Sequence, residues 1–348
     1  MQSPLADDLE RILTWVPDDL RALRGARLFI TGGTGFIGKW LLETLAYAND
    51  RMQLDIRALV LTRSAARFAQ AAPHLASNPA FSFVEGDVRT MPSDLGTFDG
   101  IVHAATSASA ELLRTDPALM LGTIVDGGAA VMELASRSGA VPLLFTSSGA
   151  VYGRPPATLE NVDETYAGGP DPLEPLSAYH EGKRIGELQC ALAAKQFGLK
   201  AKIARIFAQV GPYLPLDIHY AMGNFIRDVL EERNVRVQGD GTTVRSYMYA
   251  ADMTAWLLAI FVRGAPLRAY NVGSERAITI ADLARHVAAA SSRPLEVEIM
   301  QAPDPARPVD RYVPGNRRAR EELGLCEWTP IGEGIDRTIA FYEKYRAA

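Results

Sequence analysis

Short apolar strands alternate with helices from Arg27 to Phe207, and this alternation limits the possible fold more than any other feature of the chain. Strands are expected over Arg27–Thr31, Ile56–Thr62, Phe81–Val84, Phe98–His103, Val141–Ser147 and Ala201–Phe207, and helices over Phe36–Tyr47, Ala65–Ala76, Pro117–Ser138 and Ala178–Phe197. The strands are apolar throughout rather than at every second residue, which indicates a sheet buried on both faces. The sequence therefore predicts an α/β fold, in which helices cover both sides of a doubly wound parallel sheet.

The rhythm of the chain changes after Gly211-Pro212, where proline and glycine separate shorter elements. We expect residues 26–211, with about 236–264, to form the domain that holds the parallel sheet. Residues 212–235 and 265–348 are expected to form a smaller C-terminal α/β lobe. Residues 1–25 are expected to be an N-terminal extension with a short docked helix, because Leu9, Ile12, Leu13 and Val16 have helical spacing.

The composition is that of an ordinary globular protein and speaks against several classes of function. The chain has 348 residues, 48% of them hydrophobic and 22% charged, with a net charge of −5. This mild acidity gives no support to nucleic-acid binding, which favours a basic patch. No apolar run looks long enough to span a bilayer, and the start lacks the basic and apolar regions of a signal peptide. The two distant cysteines indicate a reducing, cytoplasmic setting, and the scattered histidines indicate no metal site.

A glycine-rich turn joins the first predicted strand to the first predicted helix. Gly32, Gly35 and Gly38 follow the strand, and the helix begins at Phe36. In such a turn the first glycine permits a tight reversal, the second lets the backbone approach a pyrophosphate, and the third lets the helix pack on the sheet. The helix N-terminus then offers N–H groups and a partial positive charge to phosphates. This strand–turn–helix context predicts a dinucleotide-binding Rossmann domain.

The residues after the second strand indicate which dinucleotide is bound. An acidic residue there would accept a hydrogen bond from the ribose 2′-OH of NAD(H), but the segment is Leu61-Thr62-Arg63-Ser64. Arg63 is suited to clamp the 2′-phosphate of NADP(H), and Thr62 and Ser64 offer hydroxyl donors. NADP(H) is therefore favoured, and NAD(H) is the alternative if Arg63 is only a solvated surface residue. Asp87, after the third strand, is a candidate acceptor for the adenine amino group or else a turn cap.

Tyr179 and Lys183 lie four residues apart on one face of the helix predicted over Ala178–Phe197. A tyrosine has an ordinary pKa of about 10, and a fixed ammonium beside it would stabilise the phenolate and lower that pKa. Ser148 follows the strand Val141–Ser147, and its hydroxyl is suited to hold a substrate oxygen against Tyr179. Downstream of a dinucleotide turn, this set predicts hydride transfer in which a tyrosine moves the proton.

Several segments make the chain resemble the extended short-chain dehydrogenase/reductase family, whose members act largely on nucleotide sugars. They are the glycine turn, Gly86-Asp87-Val88, His103-Ala104-Ala105, the run 147–153, the Tyr179/Lys183 pair, Gly211-Pro212, and Arg245-Ser246-Tyr247 with Asp252. The resemblance extends from about Ala26 to Tyr345, and it implies that the catalytic residues are Ser148, Tyr179 and Lys183. It also implies a cofactor site lined by Gly32, Gly35, Phe36, Ile37, Gly38, Arg63, Asp87, Val88, Ala104, Ala105, Thr106, Tyr179 and Lys183.

The same resemblance implies a nucleotide-sugar site in the C-terminal lobe and a homodimer. Asn224 matches a position that contacts the base or phosphate in similar enzymes. Arg245 and Arg307 match arginines that clamp the diphosphate, a role that suits their planar fork. The helices Pro117–Ser138 and Ala178–Phe197 pair across a twofold axis in such enzymes, so a dimer through these helices is expected.

The chain departs from the family pattern next to the catalytic hydroxyl. Similar enzymes that dehydrate nucleotide sugars carry an Asp-Glu pair there, and those that decarboxylate UDP-glucuronate carry a Glu, whereas this chain has Gly149 and Ala150. Neither residue can transfer a proton, so 4,6-dehydration is not expected. Two usual asparagines are also replaced, by Ile124 in the long helix and by Ala208 after the last strand. The first replacement removes a residue of the proton relay that the resemblance implies behind Lys183. The second removes one contact to the diphosphate that the resemblance implies.

Hydride and proton transfer are what this set of residues retains. The preferred hypothesis is a 4-ketoreductase that acts on a nucleotide-linked 4-keto-6-deoxyhexose, with Tyr179 as proton donor. The alternative is a nucleotide-sugar 4-epimerase, which oxidises C4 and returns the hydride to the other face. A hypothesis from another class is a non-catalytic dinucleotide-binding regulator, against which the intact Ser148, Tyr179 and Lys183 argue. A serine hydrolase is not expected, because the chain has no GxSxG elbow.

Overall fold

A computed structural model describes residues 3, 5–92, 94–106, 109–139, 141–156, 158–217, 220–306 and 308–346. Over this part the chain divides into two compact units. The first unit comprises Met1–Val151, Pro170–Ile206 and Thr254–Tyr270, and the second comprises Tyr152–Gly169, Phe207–Met253 and Asn271–Ala348.

The first unit is built around a parallel sheet. Its elements are α1 (Ala6–Trp15), α2 (Pro17–Ala22), β1 (Arg27–Thr31), α3 (Phe36–Met52), β2 (Arg57–Thr62), α4 (Ala65–Ala71), α5 (Pro73–Ala76), β3 (Phe81–Glu85), β4 (Gly100–His103), α6 (Ala110–Thr115), α7 (Pro117–Arg137), β5 (Pro142–Ser148), α8 (Ala178–Phe197) and β6 (Lys200–Ile206). The strands lie in the order β6-β5-β4-β1-β2-β3, and each neighbouring pair is parallel. The order reverses between β1 and β4, the point where doubly wound sheets bind their ligands. The predicted fold class is therefore confirmed.

The strand and helix ends follow local chemistry. Asp116 caps α7, because its side chain accepts a hydrogen bond from Leu119 N at 2.9 Å and Pro117 begins the helix. Helix α8 ends at Gly198, which has the left-handed backbone (φ 69°) common after helices. The helix predicted over Ala65–Ala76 is instead two helices, because Pro73 cannot continue the first one.

The N-terminal segment is part of the first unit rather than a separate extension. The predicted docked helix is confirmed by α1, whose Leu9, Ile12 and Leu13 are buried. Asp19, which is 3% exposed, forms an ion pair with Arg263 at 2.7 Å. Apolar burial and this ion pair attach the segment to the rest of the unit.

Helix α7 has the length and composition of a membrane-spanning helix, with a mean hydropathy of 1.5 over its most apolar window. The expectation that no apolar run reaches this length was therefore wrong for α7. The inner face of the helix is buried against its own unit, since Ile124 lies against Gly182 on α8 and Gly127 lies against Val88. Core burial of this kind accounts for the apolar residues of that inner face.

The second unit is smaller and has short strands. The chain continues through β7 (Gln209–Val210), α9 (Ala221–Leu230), β8 (Val235–Val237), β9 (Val244–Arg245), β10 (Met248–Tyr249), α10 (Ala250–Arg263), β11 (Ala269–Val272), β12 (Ile278–Thr279), α11 (Ile280–Ala289), β13 (Val297–Ile299), β14 (Arg311–Tyr312), α12 (Arg317–Leu323) and α13 (Ile331–Arg346). Helix α10 and strand β11 each run across a boundary between the units, and β11 is the seventh strand of the large sheet.

The unit boundaries differ from the predicted domain bounds chiefly at residues 236–253 and 152–169, and by a few residues at 207–211 and 265–270. Residues 236–253, assigned from sequence to the first domain, belong to the second unit because β8 pairs with β13 and β9 pairs with β12 and β14. Residues 152–169 also belong to the second unit, where Val162 bridges Pro314. These boundaries are decided by pairing between segments that are far apart in the chain, and no local sequence pattern predicts such pairing.

Candidate active site

The glycine turn closes tightly onto the loop that follows β4. Gly32 has a φ of +71°, and a Cβ atom built on it would lie 2.4 Å from the carbonyl carbon and oxygen of Ala104. A Cβ on Gly38 would lie 2.3 Å from Gly32 O. Any larger residue at either position would push the turn open. The predicted roles of these two glycines in turn geometry and helix packing therefore have a direct steric cause.

The start of α3 is suited to an anion. Gly35 is its N-cap and supplies no side-chain cap, while Phe36 and Ile37 are the first helical residues and are half-buried. The first N–H groups of this 17-residue helix are therefore available to phosphate oxygens, with the partial positive charge of the helix end. This cradle fits the pyrophosphate of a dinucleotide, the ligand predicted for it.

A chain of hydrogen bonds fixes the loop Ala104–Thr106 beside this turn. The Thr31 hydroxyl lies 2.7 Å from His103 Nδ1 and accepts from Ala105 N at 3.2 Å. The Thr106 hydroxyl donates to Ala105 O at 2.8 Å. Burial, and secondarily the charge of Lys183, lower the pKa of His103 to about 3, so this ring is neutral at physiological pH.

Lys183 is the most deeply buried of the three predicted catalytic residues, with 3% of its surface exposed. Its ammonium donates to Thr106 Oγ1 and to Thr146 O, both at 2.7 Å. It also lies 5.9 Å from the centre of the Tyr179 ring. Burial lowers the pKa of Lys183 to about 7, with Glu187 opposing the effect. The structure thus brings Lys183 to Tyr179 and to β5, the strand that ends in Ser148.

Ser148 lies at the carboxyl end of β5 and is buried. Its Oγ accepts a hydrogen bond from Ala150 N at 3.1 Å. The following residues, Gly149–Tyr152, form a 3-10 turn that carries no carboxylate. The turn therefore places no carboxylate at this end of the sheet, and its Tyr152 hydroxyl donates to Asn271 Oδ1 at 2.7 Å.

Glu187 holds α8 to the sheet, a role that sequence reasoning missed. Its carboxylate accepts from Ser147 Oγ at 2.6 Å and from Arg205 Nε and Nη2 at 2.9 and 2.7 Å. Glu187 follows Lys183 by one helical turn, so its carboxylate fixes the same face of the helix. The four-residue spacing was the available sequence signal. We call Thr106, Ser148, Tyr179 and Lys183 the catalytic cluster, after the role predicted for the last three.

The other end of the predicted cofactor site is exposed. Arg63 follows β2 and is exposed, a position open both to a residue that clamps a 2′-phosphate and to a solvated surface residue. The two neighbouring hydroxyls have other partners, because Ser64 Oγ accepts from Arg67 N at 3.2 Å and Thr62 Oγ1 accepts from Ser64 N at 3.3 Å. The Ser64 oxygen caps the start of α4.

An acid that sequence reasoning missed lies beside this turn. Glu85 ends β3 and pairs in register with Thr62, the last residue of β2. Its Oε1 accepts from Ala65 N at 2.6 Å, so the carboxylate lies at the N-terminus of α4. The second strand ends without an acid, as the sequence shows, but the neighbouring strand supplies one to the same edge of the sheet.

Asp87 and Arg89 form a bidentate ion pair near this edge. Arg89 Nε and Nη2 donate to the two Asp87 carboxylate oxygens at 2.9 and 2.8 Å. Hydrogen bonds from the Arg89 side chain and backbone lower the pKa of Asp87 to about 2. The Val88 side chain is buried in the hydrophobic core, which leaves its backbone for any cofactor contact. We name Arg63, Glu85, Asp87 and Arg89 the outer cluster.

The predicted substrate residues belong to the second unit where they are described. Asn224 is half-buried in α9. Arg245 is held by Asp310, whose Oδ2 lies 2.7 Å from Arg245 Nη2. Arg307 lies outside the described residues. A cavity of about 480 Å³ in this unit is lined by Tyr247, Arg276, Thr279, His286, Arg311 and Glu327, among others, and its lining does not include Asn224 or Arg245.

Comparison with known proteins places these features in a family. Residues 28–273 match the model of the NAD-dependent epimerase/dehydratase family. The chain belongs to this family. Among curated proteins it is 32% identical to UDP-glucuronic acid decarboxylase 3 of Arabidopsis thaliana over 310 residues, which cover 89% of this chain and 86% of that protein. It is 29% identical to UDP-glucuronic acid decarboxylase 1 of Xenopus tropicalis, covering 91% and 72% of the two chains.

Solved structures share the fold of this family member. A dTDP-glucose 4,6-dehydratase from Streptomyces venezuelae, with NAD bound, has a TM-score of 0.78 at 23% identity and covers 92% of this chain and 98% of its own. A UDP-glucose 4-epimerase from Thermotoga maritima has a TM-score of 0.76 at 23% identity, with 92% and 99% covered. The predicted membership of the extended short-chain dehydrogenase/reductase group, and with it the enzyme class, is confirmed. The curated relatives are decarboxylases and not the 4-ketoreductases that sequence analysis preferred.

Proposed function

We propose that this protein is an NAD(P)-dependent oxidoreductase that acts at C4 of a nucleotide-linked sugar, with reduction of a 4-keto-6-deoxyhexose as the preferred reaction. The observation that carries the proposal is the buried Lys183 ammonium held beside Tyr179, next to a turn without acids. This set of groups supports proton transfer to an oxygen bound to carbon. It offers no second acid or base for elimination.

In the proposed reaction Ser148, Tyr179 and Lys183 each have one task. The Ser148 hydroxyl donates to the sugar C4 oxygen and holds it near Tyr179. The Tyr179 phenol gives its proton to this oxygen as negative charge develops there, and the Lys183 ammonium stabilises the resulting phenolate. A bound reduced nicotinamide would supply the hydride. The buried surroundings of Lys183 strengthen its electrostatic effect on the phenol.

The names of the relatives support an activity on nucleotide sugars. They do not decide between reduction, epimerisation and decarboxylation. A decarboxylase function is the reading that their 29–32% identity favours. Against it, Gly149 and Ala150 occupy the positions where the resemblance implies a glutamate. A 4-epimerase needs the same groups as the reductase and is the second candidate, because the acid-free turn suits both.

For the cofactor, we propose that NADP(H) is preferred and that NAD(H) also binds. Arg63 supports the first part, because its exposed guanidinium suits a 2′-phosphate. Glu85 supports the second part, because its carboxylate would repel that phosphate and accept from a ribose hydroxyl. The net preference depends on the balance between these two charges.

One assay separates the candidate reactions. The purified protein is incubated with NADPH or NADH and a dTDP- or CDP-linked 4-keto-6-deoxyhexose, and in parallel with NAD and UDP-glucuronate. A two-hydrogen gain in sugar mass, with loss of reduced-nicotinamide absorbance, is the expected result. Isomerisation without net cofactor use would instead select the epimerase, and loss of carbon dioxide from UDP-glucuronate would select the decarboxylase. Tight dinucleotide binding without turnover of any sugar would select the regulator.

We also propose that the active protein is a homodimer that pairs through α7 and α8. Leu188 and Leu192 lie one turn apart on α8 and are 57% and 55% exposed. Leu119 on α7 is 38% exposed. Replacing both α8 leucines with glutamate should convert a dimer to a 37.8 kDa monomer in light scattering. Leu173→Glu is the matched control, since Leu173 is 89% exposed and precedes α8. A wild-type monomer would contradict the proposal.

A further inference from the structure

We infer that Thr106 is a positioning residue for catalysis, because its hydroxyl accepts a hydrogen bond from the buried Lys183 ammonium at 2.7 Å. The inference rests on the proposed function for its catalytic consequence. Its structural part concerns the free protein and can be tested without substrate.

The first step is the shortage of acceptors around Lys183. Its ammonium is buried and has two oxygen partners in the described part of the chain, Thr106 Oγ1 and Thr146 O. Both oxygens are neutral. The face of the Phe145 ring lies 5.2 Å from Nζ and adds a weak attraction. A buried charge held by so few neutral groups depends strongly on each of them.

The second step is that α7 carries an apolar residue at position 124, where the resemblance leads us to expect an asparagine. Ile124, the residue that replaces the asparagine expected from the resemblance, is 1% exposed and packs against Gly182. A Cβ atom on Gly182 would lie 3.0 Å from Ile124 Cδ1, so the two helices meet there through apolar contact. The polar support for Lys183 therefore comes from Thr106 in the loop after β4 and from Thr146 on β5, and Ile124 on α7 adds none.

The third step is that the Thr106 hydroxyl is oriented. It donates its own proton to Ala105 O, which leaves its lone pairs for the ammonium. The Ala105 amide is in turn bound to Thr31, at the end of β1. Thr106 thus links the catalytic lysine to the glycine turn through three adjacent segments of the first unit.

The titratable groups facing Lys183 are Tyr179 on its own helix, Glu187 one turn further, and His103 on β4. The Glu187 carboxylate is occupied by Ser147 and Arg205, and the His103 ring is neutral. Removing the Thr106 hydroxyl leaves the charged form of Lys183 with one fewer acceptor. The lysine should then lose its proton at a lower pH, by about one unit.

The experiment compares Thr106→Val, Thr106→Ala and Thr106→Ser. The Lys183 titration is followed by NMR of 13C-labelled lysine side chains in the dinucleotide-free protein. The valine and alanine variants should titrate about one pH unit lower than wild type, and the serine variant should match wild type. In the reductase assay, the alkaline limb of kcat/KM should move down by the same amount in the first two variants, since Tyr179 loses its ammonium partner.

Two results are distinguishable. An unchanged Lys183 titration in both the valine and alanine variants overturns the inference, whether or not the protein reduces a sugar. A lowered titration in a protein that turns over no nucleotide sugar supports the role of Thr106 in holding Lys183 and contradicts the proposed function alone.

Discussion

The catalytic cluster and the outer cluster lie in the same unit but hold their charges in opposite ways. Lys183 is 3% exposed and rests on neutral oxygens, whereas the Asp87 and Arg89 side chains are 37% and 36% exposed and neutralise each other. A buried charge with neutral partners is held by geometry and is sensitive to every contact. An exposed ion pair is weak and is screened by salt. Substitutions should therefore have large effects at the first cluster and small, salt-dependent effects at the second.

The largest expected effect is at Tyr179. Tyr179→Phe should lower kcat by about 10²–10⁴, because loss of a general acid costs this much, while dinucleotide affinity changes little. Stopped-flow turnover and fluorescence titration measure the two quantities. Tyr47→Phe is the matched control, since the Tyr47 hydroxyl bonds only to the exposed Glu10 among the partners seen. Retained turnover in Tyr179→Phe would remove the tyrosine from the mechanism.

The next effect is the acid sensitivity of folding that buried His103 causes. The folded-state pKa of His103 is lowered to about 3, below its unfolded value, so its stabilising contribution is complete above pH 6.5 and is lost as the pH falls. Between pH 6.5 and 5 this group should cost about 2 kcal/mol of unfolding free energy. Urea unfolding of wild type and His103→Asn over this range should show a smaller pH dependence in the variant. Proton NMR should show a neutral His103 ring at pH 5, and a protonated ring there would refute the assignment.

Asp87 provides the contrast with His103, because the pKa of its carboxyl is also lowered although the side chain is exposed. Its contribution should be complete above pH 3.8 and lost toward pH 2, so it leaves the range from pH 6.5 to 5 unaffected. A loss of unfolding free energy between pH 6.5 and 5 should therefore come from buried groups such as His103 and not from Asp87.

The smallest effects are expected on cofactor choice at the outer cluster. Arg63→Ala should lower the ratio of NADPH to NADH affinity by about tenfold, and Glu85→Gln should raise it by about threefold. Both changes should shrink as salt is raised from 0.05 to about 0.5 M. Calorimetric Kd values provide the test, with the exposed Arg67→Ala as control. If neither substitution changes the ratio of NADPH to NADH affinity, residues other than Arg63 and Glu85 discriminate between the two dinucleotides.

The features that local sequence patterns predicted are those made by neighbouring residues. Apolar runs of β-strand length gave the six parallel strands, and Asp116-Pro117 gave the start of α7. The spacing of Tyr179 and Lys183 placed both on α8, and the glycine spacing placed Gly32 and Gly38 in the turn. The long apolar α7 shows the limit of such reasoning, since composition alone does not tell a core helix from a membrane helix.

The sequence by itself determined the strand–helix alternation, the glycine turn and the Ser148, Tyr179 and Lys183 set, because hydrophobic periodicity and backbone sterics act between residues close in the chain. Only the tertiary structure decided that Thr106 supports Lys183, that Glu187 holds α8 and that Glu85 stands beside Thr62. These contacts join residues from different strands and helices. The order and register of a parallel sheet bring them together, and both are set by packing over the whole unit rather than by any short segment.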